Sequence, residues 1–193
     1  MNRKNLRSLA AGVALLLAVG ALAGCGGEKK ADDSKKMVTV GIAQLVEHGA
    51  LDAANKGFVA GMASKGFKEN ENVKYDRQNA QADQSNLQNI AQRFVSNKVD
   101  LICAIATPTA QTMANATKDI PIVATAVTDY EVAKLAASNN EPKGNVTGTS
   151  DMNPIDQQLE LLLKIAPQTK NIGTVYSSSE VNSQLQVDVL KKL

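Results

Sequence analysis

The sequence predicts an α/β protein: a parallel sheet flanked by helices on both faces. Two observations carry this. Apolar runs at residues 38–43 (VTVGIA), 99–106 (VDLICAIA) and 121–127 (PIVATAV) have the length and composition of strands covered on both faces. Each is followed by a polar turn and then, in most cases, by an apolar stripe at helical spacing. That alternation generates parallel strands joined by crossover helices.

The first unit sets the pattern. Its strand turns through QLVEHGA (residues 44–50) into a helix over residues 51–65, where Ala54, Phe58 and Met62 fall four apart. Gly66 stands where a left-handed cap belongs. Ligands of such sheets bind beyond the carboxyl ends of the strands, so topology places Gln44, Glu47 and His48 at a mouth. Residues 72–78 (NVKYDRQ) alternate as a short strand. Residues 83–97 carry Leu87, Ile90, Ala91, Phe94 and Val95 on one helical stripe. After the strand at 99–106, Thr107 is expected as N-cap and Pro108 as the first helical residue, with the helix ending near Lys118.

The strand at 121–127 leads into a loop over 128–144, broken by Asn139, Asn140 and Pro142, with a short helix expected at 131–137. Residues 145–150 read as a fifth strand. Asn153 and Pro154 open a helix with Ile155, Leu159, Leu162, Leu163 and Ala166 on one face, and Pro167 stops it. Residues 171–176 (NIGTVY) read as another strand, and the helix after Glu180 is expected to be still running at Leu193. Residues 38–127 can close a covered sheet. From Pro154 onward the chain cannot bury a core of its own, so the expectation is the front part of a longer protein.

The leader is read separately. Arg3, Lys4 and Arg7 precede an apolar run from Leu9 to Leu22, the pattern of a secretory signal and shorter than the ~20 residues of a membrane span. Leu22-Ala23-Gly24-Cys25 resembles the lipobox of bacterial lipoproteins, which implies cleavage before Cys25 and a lipid on its sulfur. The division expected is a signal peptide at 1–24, a lipidated cysteine and flexible tether at 25–37, a complete α/β unit at 38–150, and the start of a second at 151–193.

Charge and composition exclude several classes. The chain has 21 Lys+Arg against 19 Asp+Glu; without Arg3, Lys4 and Arg7 the count is 18 against 19, a net charge of −1. The basic excess therefore belongs to the leader and gives no footprint for nucleic acid. Cys103, inside an apolar strand, reads as a small buried hydrophobe. His48 is the only histidine, which argues against a metal centre, and no cofactor is expected. Neither GxGxxG nor GxxxxGK[ST] occurs, which argues against a nucleotide phosphate. No GxSxG nucleophile turn occurs, and an aromatic content of 3% argues against a sugar pocket.

Three places can carry chemistry. Thr107-Pro108-Thr109 begins a helix at the sheet's carboxyl edge, either plain capping or a site for a carboxylate. Asp151, just past the fifth strand, either caps the next helix or receives a ligand ammonium. Ser178, Ser179, Glu180, Asn182 and Ser183 crowd the last helix start, as a capping box or as part of a binding mouth.

Taken together, GIAQLVEH (residues 41–48) with LDAA (51–54), ATPTAQ (106–111), TSDM (149–152) and YSSSEVNS (176–183) resemble the lipoprotein substrate-binding components of ABC importers. The branch they resemble is linked to uptake of tryptophan, tyrosine and phenylalanine. The resemblance implies a periplasmic-binding-protein-like fold of two lobes, the first complete at 38–150 and the second partial from 151. It implies ligand contacts from Gln44, Glu47, Thr107, Thr109, Ser150, Asp151, Ser179, Glu180, Asn182 and Ser183. The implied ligand is an amino acid, aromatic or otherwise apolar, delivered to an ABC permease and its ATPase. The implied location is the extracytoplasmic side of a bacterial membrane, with the lipid on Cys25 as anchor. Two rivals stand beside this reading: an extracytoplasmic enzyme using Glu47, His48 or Asp151 as acid–base groups, and a ligand sensor for a signalling partner.

Overall fold

A computed structural model describes residues 37–142 and 144–193. The leader, Cys25 and nearly all of the tether lie outside the described residues. Seven strands and five helices follow Met37: β1 (Val38–Gln44), α1 (Gly49–Ser64), β2 (Val73–Asn79), α2 (Gln84–Ser96), β3 (Leu101–Ile105), α3 (Thr107–Ala116), β4 (Ile122–Val127), β5 (Ala136–Ser138), β6 (Glu141–Pro142), β7 (Val146–Ser150), α4 (Ile155–Ile165) and α5 (Val181–Leu190). Five strands form one sheet in the order β2-β1-β3-β4-β7, and every pairing in it is parallel. The chain steps outward from β1 to β2 and then returns to β3 on the other side. That reversal between β1 and β3 is where open α/β sheets form a crevice.

Side-chain alternation sorts the core into two layers. Val40, Ile42, Cys103 and Ile105 face one way with Val73 and Tyr75, and α1 covers them with Leu51, Ala54, Phe58, Val59 and Met62. Ala43, Ile102, Ala104, Ile122 and Ala124 face the other way, under Leu87, Ile90, Ala91 and Phe94 of α2 and Ala110, Met113 and Ala114 of α3. Register explains the sorting: Ile42 stands beside Cys103 and Ala43 beside Ala104 in adjacent parallel strands. Two helix ends carry plain signals. The Asp83 carboxylate accepts from the Asn86 N–H at 2.8 Å to cap α2, and Gly66 follows α1 with φ +90°.

Four local expectations are corrected. Thr107 is the first residue of α3 and not its cap; Ala106 holds the cap position, and no side chain caps this helix. Residues 131–137 form turns and the first strand of an antiparallel β5–β6 pair rather than a helix. Side chains divert the backbone there: Asp129 Oδ1 accepts from the Val132 N–H and Asn139 Oδ1 from the Tyr130 N–H, both at 2.7 Å. Residues 171–176 are not a strand. A strand exists only through its neighbours' hydrogen bonds, and no partner strand stands beside this segment among the described residues. Finally, α5 ends at Leu190 instead of running on to Leu193.

Residues 151–193 are accordingly thin in packing. The helices α4 and α5 pack against each other, and with residues 172–176 they enclose a cavity of about 360 Å³. No residue of α4 is buried, and Leu161, Leu163, Ile165, Ile172 and Val175 are exposed. Among the described residues no helix is long and apolar enough to cross a membrane.

The closest contact in the sheet's core generates a prediction. A Cβ built on Gly41 would lie 2.7–2.8 Å from ring carbons of Phe94, which lies fully buried over β1. Gly41→Ala is expected to lower stability by about 1–3 kcal/mol through overpacking, read as a lower urea midpoint at unchanged slope. An unchanged midpoint would mean that the Phe94 ring yields at no cost.

Candidate binding site

Because all five sheet strands are parallel, Gln44, Ala106 and Ser150 end or follow their strands at the same edge of the sheet. Gln44 is only 4% exposed, and its amide is fully engaged. Nε2 donates to Asp52 Oδ1 at 2.6 Å and to the Val46 carbonyl at 2.9 Å, and Oε1 accepts from Asn55 Nδ2 at 3.2 Å. Gln44 therefore ties the turn after β1 to the first turns of α1. His48 is committed nearby as the cap of α1, its Nδ1 accepting from the Ala50 N–H at 3.3 Å. Gln44 and Glu47 line a cavity of about 430 Å³ with Asp52, Asn55, Lys56 and Arg77.

The start of α3 is different in kind. Ala106 sits at φ +89°, ψ 152°, a region that is essentially glycine's own and typically costs about 1–3 kcal/mol for other residues. The hydroxyls of Thr107 and Thr109 are buried and find no hydrogen-bond partner among the described residues. An unpaired buried polar group costs about 1–3 kcal/mol. Strained backbone, two unpaired hydroxyls and a positive helix end thus coincide at one strand–helix junction.

At the end of β7, Ser150 is committed: its Oγ donates to the Thr128 carbonyl at 2.7 Å and accepts from the Met152 N–H at 3.1 Å. Asp151 is not. Its backbone N–H donates to the Val127 carbonyl at 3.1 Å, but its carboxylate takes no hydrogen bond from the described residues. It does not cap α4, whose cap position is held by Pro154 with no side-chain cap. That removes the plainer of its two readings. Tyr130 lies within electrostatic reach of Asp151; burial first, and then that negative charge, push its phenol up to about 12.

In the last cluster, Ser179 Oγ lies 3.2 Å from Ser177 Oγ, and Asn182 Nδ2 donates to Glu180 Oε2 at 3.3 Å while Asn182 Oδ1 is buried and unpaired. Glu180 is the cap residue of α5 but caps nothing with its side chain. Ser179 and Glu180 line a cavity of about 660 Å³ whose other walls include Leu45 from the turn after β1, Pro108 and Gln111 from α3, and Lys134. Ser183 lines the separate apolar cavity beside Tyr176.

The fold therefore gathers Gln44, Glu47, Thr107, Thr109, Ser150 and Asp151 along one sheet edge and sets Ser179 and Glu180 across a cavity from it, but the ten residues do not share a single pocket. Asp52, Asn55, Leu45, Gln111 and Tyr130 escaped the sequence reading. Only the first pair left a signal there, a polar residue ending an apolar strand with polar partners 8 and 11 positions on. No group of acidic, histidine and cysteine side chains suited to a metal occurs among the described residues. Burial pushes the Cys103 thiol up to about 12, so it stays protonated and is no nucleophile.

A parallel α/β unit with unpaired polar groups at the carboxyl edge has the place where such sheets take ligands. Residues 39–193 match the family model of ABC transporter substrate-binding proteins, and the chain belongs to that family. Over 98% of its length it is 50% identical to a tyrosine-binding protein of Clostridioides difficile (strain R20291). A solved domain from Streptococcus pneumonia in complex with L-Trp is 43% identical over 81% of the chain, with a TM-score of 0.78. A ligand-free, open substrate-binding protein with adhesive properties from Clostridium difficile is 52% identical over the same share, with a TM-score of 0.68. The chain spans about half the length of these relatives: 56% of the first and 53% of each of the two structures.

The Gln44 clasp can be tested on its charge. Gln44→Glu sets a second carboxylate against Asp52, across a contact now 2.6 Å long. Like charges that close cannot both remain ionised without cost. The variant should be clearly less stable than the parent near neutral pH and recover part of the loss on acidification, as one carboxyl takes up a proton, read by urea melts at neutral and at acidic pH. A loss independent of pH would show that Asp52 turns away.

Proposed function

We propose that the protein is the extracytoplasmic substrate-binding component of an ABC importer. It takes an amino acid with an aromatic or apolar side chain between two lobes and passes it to a permease driven by its ATPase. The observation that carries this reading is the pair of uncommitted polar features at one sheet edge. Thr107 and Thr109 stand at the start of α3, and the Asp151 carboxylate stands just past β7. An amino acid brings both charges these features call for. Its carboxylate suits the positive end of α3 with the two threonines, and its ammonium suits Asp151. The relatives described as binding L-Trp and tyrosine support the class of side chain.

In this reading residues 38–150 are the first lobe and residues 151–193 begin the second. Glu47, Thr107 and Thr109 face the ligand from the first side, Asp151 from the crossing between the two, and Ser179, Glu180, Asn182 and Ser183 from the second. Gln44 and Ser150 support the site, because their polar atoms are already engaged. No bond is made or broken. Ligand binds the closed arrangement more tightly than the open one and shifts the population toward it. A signal peptide at 1–24 directs export, and a lipid on Cys25 holds the domain at the envelope, with residues 26–37 as tether.

Two experiments test this. Asp151→Asn preserves size and removes the charge, so loss of a charge-assisted hydrogen bond, about 1.5–3 kcal/mol, should weaken binding of L-tyrosine or L-tryptophan roughly tenfold to a hundredfold in calorimetric titration of the full-length protein. Thr107→Val should cost less, because backbone donors at the helix start remain. Unchanged affinity in a folded Asp151→Asn protein would take Asp151 out of the site. Separately, Cys25→Ser should leave the protein unprocessed or unanchored in cell fractionation; equal membrane retention and unchanged mobility would remove the lipid anchor from the reading.

A further inference from the structure

We infer that Tyr130 is a positioning residue for Asp151, a peg driven between the last two strands of the sheet that fixes where the chain leaves it. The inference rests on the reading of Asp151 as the ammonium acceptor and adds the device that holds it.

The geometry is specific. Near their carboxyl ends β4 and β7 lose register between Ala124 and Val127, and Ala126 adopts φ +54°. The Tyr130 hydroxyl lies at this irregularity and shares its single proton between the Ala124 carbonyl of β4 at 2.9 Å and the Thr149 carbonyl of β7 at 3.2 Å. It takes up strand carbonyls where the ladder is disturbed, so it replaces a missing rung between the two strands.

Gly148 makes room for it. A Cβ at that position would lie 2.2 Å from the Tyr130 hydroxyl and 1.9 Å from the Ala124 carbonyl oxygen. Gly148 sits in neither a turn nor a positive-φ conformation, so close approach is its reason for being glycine.

The peg is itself held from behind. The Tyr130 N–H donates to Asn139 Oδ1 at 2.7 Å, and Asn139 Nδ2 donates to Asp129 Oδ2 at 2.8 Å. The Tyr130 carbonyl accepts from the Leu135 and Ala136 N–H groups at 2.8 and 3.1 Å. Tyr130 as a whole is 6% exposed. On the other side, Thr149 lies two residues before Asp151, whose N–H closes onto the Val127 carbonyl. Hydrogen bonds thus tie the β5–β6 turn to Tyr130 and Tyr130 to Thr149, and the backbone carries on two residues to Asp151, whose own N–H is tied to Val127.

Tyr130→Phe removes the hydroxyl and keeps the ring. In the full-length protein it should weaken binding of L-tyrosine and L-tryptophan about five- to tenfold, the loss expected for one well-placed hydrogen bond acting through the acceptor. In an Asp151→Asn background the same change should cost less than twofold, because the group it positions has lost its charge. A hydroxyl that only stabilises the fold would cost the same in both backgrounds, and that result overturns the inference. A loss for Asp151→Asn with none for Tyr130→Phe also overturns it while leaving the Asp151 assignment standing. Normal affinity in Asp151→Asn overturns both. Hydrogen exchange gives a readout without ligand: the Asp151 amide should exchange at least tenfold faster in Tyr130→Phe, with β1 and β3 amides unchanged. If Tyr130→Phe does not fold, the parent still decides, since rapid exchange of the Asp151 amide in the folded parent refutes a peg.

Discussion

The parallel ladder is the constraint on which the rest of the structure depends. A strand covered on both faces must have its backbone groups paired with its neighbours, because no water reaches them. Once β2, β1, β3, β4 and β7 satisfy that requirement in parallel, every connection must return along a face of the sheet, and every strand ends at the same edge. Residues that are 44, 107 and 151 in the sequence become neighbours along one edge for that reason alone. The helices then complete the two layers: α1 closes one side, and α2 and α3 the other.

The ladder was legible in the sequence because burial on both faces leaves a plain mark, a short run of apolar residues followed by a helical stripe. The positions of β1, β3 and β4 follow from it. What was not legible depended on distant partners. Residues 171–176 have the composition of a strand, yet composition supplies no hydrogen bonds, and no partner strand stands beside them among the described residues. The turn at 129–135 carries helix-forming residues, but Asp129 and Asn139 bind its backbone N–H groups first. The role of Tyr130 could not be read at all, since its hydroxyl meets strand residues six positions before it and nineteen after it, where the two strands lose register.

The candidate site was legible in outline and less so in function. Sequence reasoning marks polar residues at strand ends, but it cannot tell which are already engaged. Gln44, His48 and Ser150 look as available as Thr107 and Asp151 in the sequence, and the structure separates them. The amide, imidazole and hydroxyl of the first three bond to nearby backbone or side chains. The hydroxyls of Thr107 and Thr109 stay unpaired although they are buried. Burial without a partner is costly, so such groups cluster where something else compensates.

The same logic bears on how a two-lobed reading would work energetically. The sheet unit has a packed core, whereas the segment that follows Asp151 exposes much of its apolar surface. Regions with few buried contacts open at lower free energy than the core, so motion is concentrated in them. A ligand that bridged the two sides would draw its closing energy only from contacts made in the closed arrangement, and a tenfold shift in population needs about 1.4 kcal/mol of such difference. One ionic hydrogen bond at Asp151 is of that size, provided the carboxylate is already held in place when ligand arrives. A mobile carboxylate would lose part of the gain as side-chain and backbone entropy, of order 1–2 kcal/mol for one residue. In that reading, anchoring of the backbone of residues 149–152 by Tyr130, Val127 and Ser150 would remove the backbone part of that loss, leaving only the Asp151 side chain to be ordered by the ligand.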